Sequence, residues 1–273
     1  MAEGAREPVF NLPGIVLAML GLLIAIHALR EYGLSGTEDS YLLQALAFVP
    51  GQFTFAIDPD AVAQELTRLA EEGDRQRLMI AQFLLGTGRP KFWTPLTYAF
   101  LHADWTHLTV NGLWLAAFGS PVARRFGAGR FLALFAVTSL AGALAHYLTR
   151  PVDLVPVIGA SAAVSGLTAA ALRFIFQPGG PLGGRSWRGP LSPNDAARQP
   201  ALSLGAAVRD RWVIQFAAIW FAINLAVGFL AVPLGISEYG VAWEAHIGGF
   251  VAGFLLFSLF DPPQRGITSG TGY

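Results

Sequence analysis

A serine and a histidine, each at the start of an apolar stretch, are the residues of this chain that could perform chemistry together. Ser161 follows Gly159-Ala160, and His246 opens another apolar stretch 85 residues later. Serine and histidine are the nucleophile and general base of acyl-transfer reactions. Polar groups inside a membrane are costly and usually serve a function. The pair therefore predicts a hydrolytic centre, provided that the fold brings the two side chains together.

The composition is that of a membrane protein. Hydrophobic residues make up 53% of the chain and charged residues only 13%, whereas soluble domains carry about 25% charged residues. The mean hydropathy is +0.49. A net charge of zero gives no indication of nucleic-acid binding. The absence of cysteine excludes disulfides, thiolate metal sites and cysteine nucleophiles, and we expect neither a metal nor a cofactor.

Apolar runs predict an all-α integral membrane protein with six transmembrane helices. A span needs about 20 mostly apolar residues. The segments that qualify are about 12–29, 105–123, 130–149, 158–176, 213–232 and 242–260. The first run is read as a retained span, the alternative being a cleaved signal peptide, because its upstream flank is not basic and its end is a poor cleavage site. The predicted organisation is a tail (1–11), a six-helix domain (12–260) with a long outer loop (30–105) and a cytoplasmic loop (177–212), and a disordered tail (261–273).

The distribution of arginine predicts the orientation. The loops after the second and fourth spans hold the clusters of arginine, whereas the loops after the third and fifth spans hold one and none. The positive-inside rule makes the arginine-rich loops cytoplasmic, and both termini with them. Arg124 and Arg125 are read as interface anchors. We expect a multi-pass protein of a bacterial inner membrane.

Within the outer loop, the amphipathic stretch Ala61 to Leu85 predicts a surface helix on the bilayer interface.

The predicted spans place three polar side chains at one depth. Asn111, Ser161 and His246 stand 13, 16 and 15 residues before the cytoplasmic boundaries at Arg124, Gln177 and Asp261. At 1.5 Å per residue, each lies about 20–24 Å above the inner boundary. The three helices run in the same direction, so the side chains are expected to converge nearer the outer face.

Local sequence supplies the remaining parts of a site. His107 and Asn111 are four residues apart and share a helix face. Ser161 is in the first turn of its helix, where free backbone N–H groups and the helix dipole favour an oxyanion. Gly249 and Gly253 form a GxxxG face one turn beyond His246, and small residues permit the close approach of membrane helices. Gly159, Gly249 and Gly253 are the predicted packing glycines.

Together these segments resemble the rhomboid intramembrane serine proteases. The matching pieces are WTPLTYAFLH (93–102), HLTVN (107–111), GASA (159–162) and AHIGGFVAG (245–253), in the family order over about residues 90–260. The resemblance implies a six-helix rhomboid-like bundle and a Ser161–His246 dyad. It also implies an oxyanion hole made by His107, Asn111 and the Ser161 backbone N–H. No third, acidic residue is expected, since Glu244 faces away from His246 on a helix.

Three departures from the rhomboid pattern are visible. Ala162 stands where the family usually has glycine. Ser165 stands where an aromatic residue often stacks on the histidine, so His246 is expected to be held less firmly. Thr94 and Ala123 replace an Arg–Glu pair; because both partners are absent, no unpaired charge remains.

The sequence thus predicts an endopeptidase that cleaves single-span membrane proteins near the outer face of the lipid bilayer. The alternative is a non-catalytic rhomboid-like protein that binds membrane clients. A transporter is disfavoured, because inverted repeats and further intramembrane charges are not visible. His102 is read as structural. Asn224 and His146 have no identifiable partner and are also left as structural residues.

Overall fold

The computed structural model describes residues 11–184, 191–234 and 240–263, whose regular secondary structure is almost entirely helical. The helices are α1 (Gly14–Ala28), α2 (Gly36–Leu46), α3 (Pro50–Phe55), α4 (Pro59–Glu71), α5 (Arg75–Leu85), α6 (Thr94–Thr97), α7 (Trp105–Trp114), α8 (Ser120–Thr149), α9 (Ser161–Leu172), α10 (Pro193–Ala197), α11 (Leu204–Ala207), α12 (Arg211–Leu230) and α13 (Trp243–Phe260). Extended pairing in these ranges is limited to one antiparallel bridge, between Phe48 and Val157.

Four helical segments of the described ranges are long and apolar enough to cross a membrane. They are Gly14–Gly33, Trp105–Thr149, Arg211–Leu230 and Trp243–Phe260. The second is 45 residues long, and its backbone leaves the helical region at Gly127, where φ is +75°. Glycine adopts such angles without the strain that a side chain would add, so Gly127 separates two apolar stretches. α9 is a shorter apolar helix of 12 residues. The predicted class, an all-α membrane protein, is confirmed.

α9 lies at the centre of the helices, and it is surrounded mainly by α13 and α8. All of its residues from Ala162 to Leu172 are buried. A Cβ atom on Gly249 would overlap the carbonyl oxygen of Ala162, and a Cβ atom on Gly253 would overlap that of Gly166. The backbones of α9 and α13 therefore touch directly, which is the packing that small residues permit in membrane helices.

The amphipathic stretch of the outer segment forms two helices rather than one. α4 and α5 are joined at Gly73, where φ is +76°, so the chain reverses there. Leu69 of α4 and Leu84 of α5 are buried, in a small separate core that also contains Val49 and Leu154. Much of the apolar face that the sequence assigns to the bilayer interface is thus covered by protein.

Arg125 is not the expected interface anchor. It is buried and forms an ion pair and hydrogen bonds inside the protein. Its guanidinium pairs with both carboxylate oxygens of Asp261, at 2.6 and 2.8 Å, and donates to the carbonyl oxygens of Ala197 and Gln199 at 3.0 and 2.7 Å. The ring of Phe174 lies 4.8 Å away. These partners satisfy the charge inside the protein, which the arginine count of a loop cannot reveal. The predicted tail begins at this ion pair; residues 264–273 and 1–10 lie outside the described residues.

Candidate active site

Ser161 is the first residue of α9, and hydrogen bonds from the outer segment hold the turn that precedes it. The Gly159 N–H donates to the carbonyl oxygen of Tyr98 at 3.0 Å, and the Ala160 N–H donates to His102 Nε2 at 3.4 Å. Two residues before Gly159, Val157 exchanges both backbone hydrogen bonds with Phe48, at 2.8 and 3.1 Å. The serine is therefore positioned by chain that lies far from it in sequence.

His102 can accept the Ala160 hydrogen bond because it stays neutral. Its side chain is completely buried. Burial, and to a smaller extent the nearby His107, lowers the pKa of His102 to about 3. A neutral imidazole has one nitrogen lone pair, which here faces the Ala160 N–H. The structural role expected for His102 thus has a definite form, since it supports the loop that carries Ser161.

The N-terminus of α9 is open to an anion. No side chain of the described residues caps it, and the first hydrogen bond of the helix runs from the Val164 N–H to the Ala160 carbonyl oxygen, at 2.9 Å. The N–H groups of the first turn have no partner within the helix, and the helix dipole adds positive potential there. The Ser161 N–H is one of these groups, so it can stabilise negative charge beside its own side chain.

His107 lies against this N-terminus. The ring atoms Cε1 and Nε2 would be 2.7 and 2.8 Å from a Cβ atom on Gly159, and Ser161 Oγ would be 3.6 Å from the same point. The Ala103 N–H makes a long hydrogen bond, 3.5 Å, to His107 Nδ1. An accepting Nδ1 leaves the proton of a neutral imidazole on Nε2. Nε2, which lies against Gly159, is thus a hydrogen-bond donor.

Gly159 is required by this contact rather than by helix packing. Its φ of +121° is rarely adopted by residues with a side chain, and its nearest neighbour is the His107 ring and not α13.

Asn111 lies one turn beyond His107 and is buried. Asn111 Nδ2 donates to the His107 carbonyl oxygen at 3.0 Å, and its second N–H remains for another acceptor.

His246 is carried beside α9 by the crossing described above. A Cβ atom on Gly142 of α8 would lie 2.5 Å from Ala162 Cβ and 2.7 Å from the Ala245 carbonyl oxygen. The residue after the serine and the residue before the histidine therefore meet at one point. The Ser161 hydroxyl makes no hydrogen bond within the described ranges, to His246 or to any other residue. Catalytic hydrogen bonds often tighten only once substrate is bound.

Two polar residues without an expected partner have partners in the structure. Asn224 Oδ1 is 2.7 Å from His246 Nδ1, so a residue left as structural touches the candidate base. His146 Nε2 is 3.7 Å from Asp153, and its Nδ1 is 3.5 Å from Glu244. The sequence signal for Asn224 is an amide in an otherwise apolar span, but the partner cannot be read from spacing.

Glu244 is directed away from His246, towards α8. Its carboxylate pairs with Arg150 Nε at 2.6 Å as well as approaching His146. This acidic residue is thus engaged in an ion-pair group at the ends of α8 and α13, and it makes no hydrogen bond to His246 within the described ranges.

Comparison with known proteins identifies proteins that are similar to this chain in sequence. Residues 89–185 match the model of the rhomboid domain. The rhomboid protease GluP of Bacillus subtilis is 29% identical over 227 residues, which are 83% of this chain and 36% of GluP. The chain is thus similar to rhomboid proteins. The rhomboid protease GlpG of Serratia proteamaculans is 26% identical over 176 residues, 64% of this chain and 50% of GlpG.

A third relative, the rhomboid-type protein YdcA of Bacillus subtilis, is 35% identical over 97 residues, 36% of this chain and 48% of YdcA. The chain spans about half the length, or less, of these relatives. Its apolar helices and its similarity to rhomboid proteins support an integral, multi-pass membrane protein.

The structure shows how the residues that depart from the rhomboid pattern are accommodated. The methyl group of Ala162, which replaces glycine, faces Gly142 on α8, so the neighbouring helix leaves room for it. Thr94 is buried and its Oγ1 donates to the Lys91 carbonyl oxygen at 2.8 Å, which satisfies this position without an ion pair. Ser165 is buried in α9 and offers no ring to His246.

Proposed function

We propose that the protein is an intramembrane serine endopeptidase with Ser161 as nucleophile and His246 as general base. One observation carries the proposal: the uncapped N-terminus of α9, which begins at Ser161, is met from one side by His107 and crossed by α13 next to His246. A nucleophile, hydrogen-bond donors for an oxyanion and a base are the parts that acyl transfer requires.

The proposed reaction has two steps. His246 Nε2 takes the proton of the Ser161 hydroxyl while Oγ attacks the carbonyl carbon of the scissile bond. The resulting oxyanion accepts hydrogen bonds from the N–H groups of Ser161, His107 Nε2 and Asn111 Nδ2. The tetrahedral intermediate collapses, the C–N bond breaks, and His246 gives its proton to the leaving amine. Water, deprotonated by His246, then attacks the ester, releases the acid and restores the serine.

We further propose that residues 12–260 form a six-span domain with both termini in the cytoplasm. The break at Gly127 supports two spans within Trp105–Thr149, and α9 would be a short central span. Since the chain has no cysteine, single cysteines report topology without background. A membrane-impermeant maleimide applied to intact cells should label D60C but not S203C; the reverse pattern would invert the topology.

The expected substrates are single-span membrane proteins cut near the outer face of a bacterial inner membrane. The depth calculated for Asn111, Ser161 and His246 supports this position. Hydrolysis requires water at the reacting atoms, and the partial exposure of Ser161, His107 and His246 supports such access.

The direct test is labelling by a fluorophosphonate, which reacts with activated serines. We expect the wild type to be labelled, and Ser161→Ala and His246→Ala to be unlabelled. Turnover of a model transmembrane substrate in proteoliposomes should disappear in the same two variants. Labelling that persists in Ser161→Ala would overturn the assignment.

A non-catalytic client-binding protein is the second candidate. It is favoured by the unbonded Ser161 hydroxyl and by Ser165 in place of an aromatic residue. The proteoliposome assay separates the two candidates. Client capture without cleavage, unchanged in Ser161→Ala, would establish the binding protein; turnover that requires both Ser161 and His246 would establish the protease.

Asn111 tests the oxyanion assignment. Asn111→Ala should lower kcat about 10-fold or more, because one donor among several is lost, while the melting temperature changes little. Unchanged kcat with a lower melting temperature would instead assign Asn111 to helix packing.

A further inference from the structure

The candidate base has a hydrogen-bond partner that lies outside the four segments carrying the rhomboid resemblance. Asn224 is in the middle of α12, and its Oδ1 lies 2.7 Å from His246 Nδ1. α12 is otherwise an apolar helix with most of its side chains exposed. An amide placed there contacts the histidine from α12, a different helix from the one that carries Ser161.

A second hydrogen bond fixes which atom of the amide faces the histidine. Asn224 Nδ2 donates to the Trp220 carbonyl oxygen at 2.8 Å. Turning the amide over would set two acceptors, Oδ1 and the carbonyl oxygen, against each other. Oδ1 therefore faces His246 Nδ1, which must carry a proton in order to donate. In the neutral imidazole this leaves Nε2 with the free lone pair.

The register of α12 against α13 supports this contact on both sides. One turn before Asn224, the Trp220 ring stacks on Phe250 with centroids 4.4 Å apart. One turn after it, Gly228 lies against the side chain of Trp243, whose Cδ1 would be 2.5 Å from a Cβ atom on the glycine. The antiparallel pairs on either side thus hold Asn224 level with His246.

Asn224 restrains the imidazole of His246, for which α9 offers no aromatic ring. The position four residues after the nucleophile is Ser165, so no ring is available there. No aromatic ring of the described ranges contacts His246. The orientation of the imidazole is therefore set by a hydrogen bond from α12 instead of by stacking from α9.

We propose that Asn224 is the positioning residue of the catalytic histidine. It holds the proton on Nδ1 and presents the Nε2 lone pair to the Ser161 hydroxyl. During the reaction only the Nε2 proton moves; Nδ1 stays bonded to the amide oxygen, which also aligns the imidazolium. The inference rests on the proposed protease function, but its spectroscopic consequence does not depend on turnover.

The decisive measurement is the tautomer of His246. The protein has five histidines, so ¹⁵N-histidine labelling gives a small set of imidazole signals, and the signal lost in His246→Gln identifies this one. We expect Nδ1 protonated and Nε2 unprotonated in the wild type. Asn224→Leu, of similar shape but without an acceptor, should shift the signal towards the Nε2-protonated form. Asn224→Asp keeps an acceptor oxygen in either charge state and should restore the wild-type pattern.

Kinetics give the second readout. Asn224→Leu should lower kcat about 10- to 100-fold, as removal of a positioning hydrogen bond does, with KM changed less than about 2-fold, and Asn224→Asp should recover most of the loss. The control is Ile223→Leu, at an exposed position next to Asn224, which should match the wild type in both readouts.

Two results would overturn the inference. One is a wild-type His246 protonated at Nε2. The other is a loss of kcat in Asn224→Leu with an unchanged tautomer and no rescue by Asn224→Asp, which would make Asn224 a packing residue. Absence of fluorophosphonate labelling in the wild type would reject the protease function instead, while the tautomer would still report on the hydrogen bond.

Discussion

The two faces of α13 make different kinds of contact with the neighbouring helices. Towards α9, Gly249 and Gly253 place backbone against backbone, so no atom can be added without moving a helix. Towards α12, contact is made by side chains, among them the Trp220–Phe250 stack and the Asn224–His246 hydrogen bond. Side chains can rotate when a neighbour changes, whereas a helix backbone cannot. The α9 side therefore sets the position of His246, and the α12 side sets the orientation of its ring.

The difference predicts unequal tolerance to substitution. A change on the α9 side should displace the helix that carries the base, and a displacement of about 1 Å can lower a rate about 100-fold. A change on the α12 side should be absorbed partly by rotation of aromatic side chains towards the lipid. Four substitutions test this contrast, taken from the largest expected effect to the smallest.

Gly249→Val should have the largest effect. The branched side chain would overlap the backbone of Ala162, so α13 must move away from Ser161. We expect turnover in proteoliposomes to fall about 100-fold or more, with far less change in helix content by circular dichroism. Leu255→Val, at an exposed position of the same helix, is the control. Equal activities for these two variants would refute the backbone contact.

Gly159→Ala tests a contact with α7, in which the ring of His107 packs against the backbone of Gly159. The substitution places a methyl group against His107 and a side chain at a φ of +121°. Strain of this kind costs about 1–3 kcal/mol, so fluorophosphonate labelling of Ser161 should slow about 10-fold or more. Gly73→Ala, also at positive φ but in open space, is the matched control and should label at the wild-type rate. Wild-type labelling by both variants would contradict the close approach of His107.

Acid should loosen the loop before α9. Because the pKa of His102 is about 3 in the folded protein and 6.5 unperturbed, the unfolded chain binds the extra proton between these values. Stability contributed by neutral His102 is therefore complete above about pH 6.5 and is lost as the pH falls towards 3. Between pH 7.5 and 5 this amounts to about 2 kcal/mol. Thermal melting in detergent should show a smaller acid-induced loss for His102→Asn than for the wild type; parallel losses would exclude His102 as the cause.

Gly228→Ala should have the smallest effect. The added methyl group meets the Trp243 side chain rather than a backbone, and that ring can move outwards. We expect kcat to fall about threefold or less, since modest overpacking that can relax is tolerated. A loss as large as that of Gly249→Val would show that α12 and α9 hold α13 equally rigidly.

Features that depend on residue type and short spacing could be predicted from the sequence. Apolar runs indicate a membrane protein of α-helices, and four short segments resemble those of rhomboid proteases. The GxxxG spacing identifies the face of α13 that contacts α9, because a helical repeat is enough to define a face. The break in the stretch 61–85 was also readable in principle, since Gly73 stands between its two halves.

Features that depend on the rotation of one helix against another could not be predicted. The Asn224–His246 pair requires the register between α12 and α13, which the aromatic stack determines only in three dimensions. A loop arginine is generally expected to be an interface anchor, and only the fold brings Asp261 and two carbonyl oxygens to Arg125. The partners of His146 come from a loop and from α13, and no local pattern indicates them.

The bridge between Phe48 and Val157 has a consequence for the order of assembly. It joins residues far apart in sequence, and contacts of long sequence separation form late in folding. We expect the turn before Ser161 to be completed only after the segment that carries Phe48 has folded. A newly made chain would thus remain inactive during insertion, and the first active molecules would be those whose outer segment is already in place.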